Sequence, residues 1–438
     1  MNRTAEKGKT LIVDGPASVT LNSGKAEVFG ALLRNASRVV IREGKRLPFA
    51  VEETAVFDIS LGENAAVEEV DGSTVPASWV KSYEELTSLQ TKPITAIVLG
   101  TVDSGKTSFC TYLINRLLNE KRKVAILDGD LGQSDIGPPC TLAYAFVAKP
   151  VTDLFDLKER DAFFVGATSP SGLTDKVVEG LTILKKEILS SEPDVVLVDT
   201  DGWVEGEDAA NYKIQLTGKL EPNIIFWIQQ KDELTPILSA FGECKNVLVD
   251  SPSAIGQRNR EKRRNLRELG YVKYLRNSKV QSLPLNWLKI EGDELFGLGK
   301  MHENVRQARK IYELLGMKPL HFAELPDRVC IVIGRRRWVE LENIKKVEEF
   351  SKKRVMLIRK GNEEGLLIAL YNSKRQFLGI GVLQEIDFTR KYLKISTPVA
   401  DDIAIVNIGK VKLDKNLKEV SVLTDENHVD FAEFKKLF

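Results

Sequence analysis

The stretch from residue 100 to residue 107 constrains the fold of this chain more than any other. It reads Gly-Thr-Val-Asp-Ser-Gly-Lys-Thr and so fills every fixed position of G-x-x-x-x-G-K-[ST]. An apolar, β-branched run precedes it at residues 94–99, and apolar residues at helical spacing follow it. A strand, a glycine-rich turn and a helix in this order direct several backbone N–H groups toward one point at the positive end of a helix dipole, where phosphate oxygens bind.

The sequence therefore predicts a phosphate-binding loop (P-loop) for a nucleoside triphosphate. Lys106 is expected to reach the β- and γ-phosphates, and the Thr107 hydroxyl is expected to join the shell of a Mg²⁺ ion. Nine consecutive residues are predicted to surround the nucleotide's phosphates: Gly100, Thr101, Val102, Asp103, Ser104, Gly105, Lys106, Thr107 and Ser108.

Composition sets outer limits on the kind of protein. A chain of 438 residues is too long for one hydrophobic core, so we expect two or three domains. The net charge of +1 gives no overall attraction to nucleic acid or membrane. The polar N-terminus does not suggest a signal peptide, and no apolar run approaches the length of a membrane span. Four cysteines lie far apart, outside any C-x-x-C pair, which favours a reducing cytoplasm and disfavours a zinc site.

The spacing of apolar runs divides the chain into three predicted domains. Residues 1–88 alternate short apolar runs with turn residues, among them Asn22 to Gly24, and predict an all-β, sandwich-like domain. Residues 89–282 alternate strands with helices, and their continuous apolar runs are typical of a parallel sheet buried on both faces. We therefore predict a central α/β domain, doubly wound around the P-loop. Residues 283–438 predict a β-rich C-terminal domain.

Carboxylates follow the strand predicted to end at Leu127. Because ligands of open α/β sheets lie at the carboxyl ends of the strands, we expect this segment beside the phosphates. Asp130 is suited to holding Mg²⁺ through water or to accepting a proton from an attacking hydroxyl, and Gln133 to orienting a nucleophile without adding charge. A plain polar turn after a strand would contain the same residue types, and that alternative is equally open.

A tryptophan stands in Thr200-Asp-Gly-Trp203, directly after the strand that ends at Asp199. Its indole offers a flat face on which a base can stack, a contact worth ~1–3 kcal/mol. A tryptophan packed beneath a loop is the alternative. Since a Walker B strand pattern would nominate Asp199, the metal role of Asp199 competes with that of Asp130.

A basic segment follows at residues 258–273, with seven basic and two acidic residues in a nearly neutral chain. Such a stripe is suited to stabilising charge on a transferring phosphoryl group, whereas a solvated helix face is the ordinary alternative. If a helix begins near residue 259, four arginines fall on one face: Arg260, Arg263, Arg264 and Arg267.

In their order along the chain, these elements resemble the polynucleotide 5′-hydroxyl kinase family of RNA-processing enzymes. The family's pattern is a P-loop, a D-x-x-Q motif in place of an ordinary Walker B, a T-x-G-W clasp and an arginine lid. The D-x-x-Q motif matches residues 130–133, the clasp matches residues 200–203, and the lid matches Arg258 with Arg263. Residues 166–170 are similar to a further family stretch near the nucleic-acid end. The resemblance covers about residues 90–280.

The resemblance implies ATP as phosphoryl donor, Mg²⁺ held by Thr107 and Asp130, and the 5′-hydroxyl ends of RNA, with DNA as a further candidate, as acceptor. Because Arg258 and Arg263 would lie on different faces of one helix, Arg258 is expected to precede the helix. Five residues are implied in catalysis: Lys106, Asp130, Gln133, Arg258 and Arg263. Five are implied in holding the terminal nucleotide: Thr168, Ser169, Thr200, Gly202 and Trp203.

We therefore predict in-line transfer of the γ-phosphoryl group of ATP to the 5′-hydroxyl of RNA. The alternatives are a nucleotide-hydrolysing switch protein and a non-catalytic scaffold. A regulatory GTPase should show N-K-x-D, and the closest text, at residues 229–232, lacks the asparagine. A deviant-Walker ATPase should show an extra lysine early in the P-loop, where Thr101 and Val102 stand. A non-catalytic ATP-binding scaffold for RNA processing is disfavoured by the intact motifs. Basic clusters at residues 335–338 and 374–375 suggest that the C-terminal domain contacts RNA. The more usual explanation of such clusters is a solvated surface.

Overall fold

The structure, a computed structural model, describes residues 1–229, 234–238, 244–254, 256, 258–292, 296, 298 and 305–422. Contacts between residues divide the chain into two units. The first unit holds Met1–Val165 and Ser169–Gly270, and the second holds Gly166–Thr168 and the chain from Tyr271 onward. Within the described ranges, no helix combines the length and apolar character needed to cross a membrane.

The first seven strands form one antiparallel sheet. They are β1 (Asn2–Ala5), β2 (Lys9–Asp14), β3 (Ala17–Val28), β4 (Ala31–Leu32), β5 (Arg38–Ile41), β6 (Arg46–Leu61) and β7 (Val67–Asp71). The order is β4-β3-β6-β2-β7, with β1 against β6 and β5 against β3. Burial alternates along the second half of β6, where Ala55, Phe57 and Ile59 are buried, whereas β2 is buried continuously from Thr10 to Val13. The aromatic rings of Phe49 and Phe57 meet edge to face in this core.

The predicted turn at Asn22 to Gly24 lies instead inside β3. Strand pairing with β6 continues past it, and the register shifts around Ser23. Gly24 has a φ of +89°, and a Cβ there would lie 2.3 Å from the carbonyl oxygen of Thr54. The polar residues therefore mark a β-bulge, where glycine accommodates a left-handed backbone without ending the strand.

The rest of the first unit is an α/β fold, entered through α1 (Ala77–Thr87). Its strands are β8 (Ile94–Gly100), β9 (Val124–Gly129), β10 (Thr141–Val147), β11 (Asp161–Phe164), β12 (Val195–Thr200), β13 (Ile224–Gln229) and β14 (Lys245–Asp250). Its further helices are α2 (Lys106–Asn119), α3 (Thr174–Leu189), α4 (Glu207–Leu220), α5 (Thr235–Leu238) and α6 (Arg260–Leu275).

The predicted doubly wound sheet is confirmed, with an extension. Five parallel strands, in the order β9-β12-β8-β13-β14, form its centre, and β10 and β11 extend one edge in the antiparallel sense. Helices cover both faces. Phe226 of β13 meets Phe109 of α2, whereas the adjacent Trp227 belongs to the opposite core, formed with α3 and α4. The carboxyl ends of β8, β9 and β12 therefore meet at one edge, where the P-loop lies.

The second unit contains two sheets. In chain order its strands are β15 (Lys279–Pro284), β16 (Lys289–Glu291), β17 (His321–Glu324), β18 (Arg328–Ile333), β19 (Arg354–Arg359), β20 (Leu366–Tyr371), β21 (Phe377–Asp387), β22 (Tyr392–Thr397), β23 (Ile405–Leu413) and β24 (Glu419–Val422). The larger sheet runs β15-β22-β21-β20-β23-β16, with β24 beside β23. The smaller runs β17-β18-β19 and shares a core with α7 (Val305–Leu315) and α8 (Leu341–Ser351). This agrees with the predicted β-rich character, while the exact domain limits stay a prediction.

Candidate active site

The P-loop closes the gap between β8 and α2, as its sequence predicts. Gly105 has a φ of +100° and Asp103 a φ of +58°, so the turn depends on two left-handed residues. The buried Lys106 amine donates to the carbonyl oxygens of Gly100 at 3.0 Å and Thr101 at 2.7 Å. Ser104 Oγ is buried and has no hydrogen-bond partner within the described ranges. A phosphate oxygen would satisfy such a hydroxyl.

One cavity of about 600 Å³ brings together four of the five predicted catalytic residues, namely Lys106, Asp130, Gln133 and Arg258. Residues 102–108 of the P-loop line it, and so does the turn between β5 and β6 of the N-terminal sheet. Its volume lies within the range of small-molecule sites. The sequence motifs thus converge in space, although they are separated by more than 150 residues along the chain.

Asp199, at the end of β12, was the alternative to Asp130 as a metal ligand, and it lies beside the P-loop residue Thr107. The Thr107 hydroxyl donates to Asp199 Oδ2 at 2.7 Å, and Asp199 Oδ1 is buried without a hydrogen-bond partner in the described part of the chain. Burial raises the pKa of Asp199 to about 7, with Lys106 and the Thr107 hydroxyl acting in the opposite direction. Asp199 is therefore a third candidate metal ligand beside the predicted pair, Thr107 and Asp130.

The loop after β9 is shaped by two aspartates. Asp128 accepts from the backbone N–H groups of Asp130, Asp135 and Ile136, and so fixes the path of the loop. Asp130 Oδ1 accepts from the N–H groups of Gly132 at 2.9 Å and Gln133 at 3.0 Å. Burial raises the pKa of Asp130, against the lowering effect of the Lys106 charge. Asp130 is therefore a carboxylate held rigidly at the mouth of the P-loop and more basic than an exposed aspartate.

The two arginines that the resemblance assigns to a lid, Arg258 and Arg263, both lie beside the P-loop. Helix α6 begins at Arg260, so Arg258 precedes it, and both lid arginines reach the P-loop residue Asp103. The backbone N–H of Arg258 donates to Asp103 Oδ2 at 3.0 Å, and Arg263 Nη1 lies 3.2 Å from the same oxygen. Arg258 Nη1 also donates to Gln133 Oε1 at 2.9 Å, which joins the lid to the D-x-x-Q motif.

The predicted four-arginine face of α6 divides in the structure. Arg267 Nη1 donates to the Gly132 carbonyl oxygen at 3.3 Å, so Arg263 and Arg267 lie toward the phosphate site. Arg260 and Arg264 are exposed, and Arg264 pairs with Glu268 one turn along the helix. Half of the stripe is thus a solvated helix face and half belongs to the site.

The T-x-G-W clasp lies against the P-loop. A Cβ at Gly202 would come within 2.6 Å of the backbone nitrogen of Val102, so only glycine fits there. The half-buried Trp203 ring stacks on Tyr212 with 5.9 Å between ring centroids, and it lines a shallow pocket together with Ser171 and Gly172. Trp203 therefore packs against the edge of the core and leaves part of its ring open.

The remaining predicted substrate residues have different positions. Thr200 is buried, and its hydroxyl donates to the Val98 carbonyl oxygen at 2.8 Å, so it holds β12 to β8 and offers no open side chain to a nucleotide. This differs from its predicted contact role. Ser169 is exposed and accepts from the N–H of Ser171, which lines the Trp203 pocket. Thr168 is half-buried within the second unit, and its role stays a prediction.

Sequence reasoning missed a buried network behind Trp203. Asp201 Oδ1 accepts from the Trp203 N–H, and its Oδ2 accepts from the Tyr212 hydroxyl at 2.8 Å and lies 2.9 Å from the Lys213 amine. Lys213 is fully buried, and this burial lowers its pKa. Asp201 stands at the variable position of T-x-G-W, and Lys213 belongs to no motif. The motif pattern therefore gives no indication of the buried ion pair between Asp201 and Lys213.

A second missed group comes from the N-terminal sheet. Arg42 and Lys45, at the turn between β5 and β6, bind Asp135 at 2.8 Å and 2.7 Å, and Arg42 also binds Asp153. Gly44 in the same turn accepts from Arg258 Nε at 3.0 Å. Lys45 and Arg42 hold the pKa of Asp135 below its usual range despite the burial of that carboxyl. The N-terminal sheet therefore supports one wall of the nucleotide cavity.

Fold and site together define a P-loop nucleotide-binding protein. The family model described as "mRNA cleavage and polyadenylation factor CLP1 P-loop" matches residues 100–277. The chain is 30% identical to the polyribonucleotide 5′-hydroxyl-kinase of Pyrococcus abyssi, across 80% of this chain and 96% of that protein. The enzyme of the same name from Methanocaldococcus jannaschii is 29% identical, across 76% and 90%. The chain belongs to the polyribonucleotide 5′-hydroxyl-kinase family, and the predicted family is confirmed.

A solved structure supports the fold independently. The complex of wild-type Clp1p with a segment of Pcf11p contains a chain that matches with a TM-score of 0.66 at 13% sequence identity. The match covers 94% of this chain and 97% of that one. A more distant relative by sequence, a CLP1 homolog of Brugia malayi, is 24% identical across 65% of this chain.

Proposed function

We propose that this chain transfers the γ-phosphoryl group of ATP to the 5′-hydroxyl of RNA, with DNA as a further candidate acceptor. One observation carries the proposal: Lys106, Asp130, Gln133 and Arg258 line a single cavity in a chain of the 5′-hydroxyl-kinase family. The transfer needs positioning and electrostatic stabilisation more than covalent help from the protein. The site provides these through a phosphate cradle, a lid of two arginines and a carboxylate.

In the proposed reaction, the acceptor oxygen attacks the γ-phosphorus as the bond to the β-phosphate oxygen breaks, and ADP leaves. The proton of the 5′-hydroxyl passes to Asp130, whose raised pKa suits a general base. Gln133 holds Arg258 in place, and Lys106 with the lid arginines faces the charge that spreads over the transferred group. The acceptor base stacks on the open face of Trp203.

The residues beside the P-loop also fit a Mg²⁺ ion. The Thr107 hydroxyl and the Asp199 carboxylate are oxygen donors of the kind that Mg²⁺ prefers, and the buried Asp199 Oδ1 lacks a hydrogen-bond partner among the residues described. Asp130 would hold the ion through a water molecule, which leaves its carboxylate able to accept the proton. When bound, the ion would neutralise charge on the β- and γ-phosphate oxygens.

All four cysteines are thiols, three of them buried, and we place the enzyme in the cytoplasm on that basis.

The test is labelling of an RNA oligonucleotide with a 5′-hydroxyl by γ-labelled ATP. Lys106→Ala and Asp130→Asn are each expected to lower the rate by at least ~10²-fold, while Lys81→Ala, an exposed lysine on α1, stays within twofold. Undiminished labelling by either site variant would contradict the catalytic role proposed for that residue. Single-stranded and duplex RNA and DNA acceptors, compared side by side, test the substrate preference.

The same experiment separates the other hypotheses. Release of phosphate from ATP at an equal rate with and without an acceptor would favour a nucleotide switch. Tight ATP retention without turnover would favour a scaffold.

A further inference from the structure

A cluster of cations surrounds one indole at an edge of the smaller sheet in the second unit. Strands β18 and β19 run parallel, with Ile333 opposite Arg359, so the loop after β18 and the end of β19 meet at the same edge. We call this surface the arginine–tryptophan edge and define it by five residues: Arg335, Arg336, Arg337, Trp338 and Arg359. It lies outside the residues that match the CLP1 P-loop family model.

The indole of this edge is presented to solvent and is already in contact with a cation. Trp338 is 44% exposed, which is unusual for a residue of its size. The Arg359 guanidinium carbon lies 5.5 Å from the centroid of its ring. An exposed aromatic face flanked by arginine is the arrangement that single-stranded nucleic acids use for base stacking.

The charge around the indole is strongly positive. The three consecutive arginines 335–337 are all exposed, and Arg359 stands at the end of β19 on the same side. Lys360, the next residue, is paired with Glu385 at 2.8 Å. The nearest ion pair, from Arg335 to Glu364 at 3.4 Å, joins two exposed side chains and is screened by solvent. Glu340 and Glu342 are the acids that follow in sequence. The edge thus has an excess of cations in a chain whose net charge is only +1.

The second basic cluster of this unit provides a contrast. Arg375 is bound through both terminal nitrogens to the Glu291 carboxylate, each at 2.9 Å. This fork-to-fork pair neutralises the arginine locally. No comparable aromatic face accompanies residues 374–375 in the sequence, where Tyr371 and Phe377 pack on each other. The arginine–tryptophan edge, by contrast, combines an exposed indole with the exposed side chains of Arg336 and Arg337.

We propose that the arginine–tryptophan edge binds single-stranded RNA at nucleotides away from the reacting 5′ end. One base stacks on Trp338, and the neighbouring phosphates bind Arg336, Arg337 and Arg359. The proposal rests on the proposed function only in the choice of RNA as the nucleic acid. It gives the second unit a role in substrate retention.

The test is fluorescence anisotropy of a 20-nucleotide RNA that carries a 5′-phosphate and a 3′ label, so that it cannot act as a phosphoryl acceptor. The double variant Arg336→Ala, Arg337→Ala is expected to bind about tenfold more weakly and to lower the slope of log affinity against log salt by ~1.4. Trp338→Ala is expected to lose about tenfold in affinity, and Trp338→Phe to stay within threefold. Lys374→Ala with Lys415→Ala removes the same charge from exposed turns and should change affinity less than twofold.

Equal losses in the edge variants and in the control double variant, or no loss in either, would overturn the proposal. Displacement of the RNA by polyglutamate at equal concentration would also overturn it, in favour of an acidic protein segment as occupant. Phosphorylation of a 5′-hydroxyl tetranucleotide separates this proposal from the proposed function. If the wild-type chain does not phosphorylate it while the anisotropy pattern holds, the RNA surface stands and the kinase proposal fails.

Discussion

At the scale of single residues, the site depends on side chains that no motif contains. Asp201 is 5% exposed and Lys213 is fully buried, and their ion pair holds both the backbone of Trp203 and the hydroxyl of Tyr212 on which Trp203 stacks. A charge pair removed from water is stable only while both partners are present. Lys213 lines neither the nucleotide cavity nor the Trp203 pocket, and we therefore propose it as a positioning residue for Trp203.

Replacement of Lys213 with methionine leaves Asp201 as an uncompensated buried charge. We expect this variant to lose about 3 kcal/mol of unfolding free energy. We also expect the KM for the RNA acceptor to rise about tenfold, because Trp203 loses its fixed position, a change of ~1.4 kcal/mol. The KM for ATP should change less than twofold, since Lys213 does not line the nucleotide cavity. Chemical denaturation and steady-state kinetics measure these quantities.

The matched control for that variant is Lys219→Met, an exposed lysine on the same helix. It should leave stability and both KM values unchanged. A folded Lys213→Met enzyme with an unaltered acceptor KM would show that the buried pair supports the fold alone.

The contrast between motif residues and Lys213 shows what sequence can reveal at this scale. The P-loop, Asp130, Gln133 and Trp203 were predictable because their chemistry requires fixed spacing along the chain. Lysine in an amphipathic helix is normally exposed, so nothing local distinguished Lys213 from Lys219. The burial of Lys213 follows from the packing of α4 beneath the clasp, which is a long-range property.

At the scale of elements, the turn between β5 and β6 is fixed to the loop after β9 by buried ion pairs. Asp135 accepts from Arg42 and Lys45, and its pKa is lowered in the folded state by these two cations. A carboxyl whose folded pKa is depressed stabilises the fold above its unfolded pKa of about 3.9, and this contribution is lost as pH falls through the folded value.

We therefore expect Asp135→Asn to lose about 3 kcal/mol of unfolding free energy at pH 7. The difference from the wild type should shrink progressively below about pH 4, as the wild-type carboxyl is protonated. Asp71→Asn is the control, because Asp71 pairs with Lys9 while its side chain is 87% exposed, and it should cost less than about 1 kcal/mol. A pH-independent gap between Asp135→Asn and the wild type would contradict this account.

Element types were more predictable than their pairing. Apolar runs indicated all five central parallel strands correctly, because a strand buried on both faces leaves few polar positions in the sequence. The run from Asn22 to Gly24 was wrongly taken as a turn, since a bulge and a turn use the same residues. The antiparallel strands β10 and β11 were not foreseen, because partner choice at a sheet edge depends on contacts distant in sequence.

At the scale of the whole molecule, the N-terminal sheet and the P-loop fold form one unit. Arg258 donates to the Gly44 carbonyl oxygen, Asn115 donates to the Phe29 carbonyl oxygen, and Arg42 donates to the Asp153 carboxylate. The sequence placed a boundary near residue 88 because the rhythm of its runs changes there. The spacing of apolar residues indicates the type of each element but not its long-range contacts. Because these contacts join the two parts, we expect nucleotide binding to stabilise both parts of this unit.

Hydrogen–deuterium exchange with ATP and Mg²⁺ measures that coupling. At a ligand concentration 100 times Kd, binding stabilises the bound state by about 2.7 kcal/mol, and amides that exchange through opening of this unit should slow by up to ~10²-fold. We expect slower exchange in the P-loop, at residues 130–135, at residues 258–267 and in the turn at residues 43–46 of the N-terminal sheet, because Gly44 and Lys45 contact the lid and the loop after β9. The larger sheet of the second unit should exchange unchanged. Lys106→Ala with the same nucleotide is the control and should show little protection. Protection confined to the P-loop, with none at residues 43–46, would mean that the N-terminal sheet does not take part in nucleotide binding.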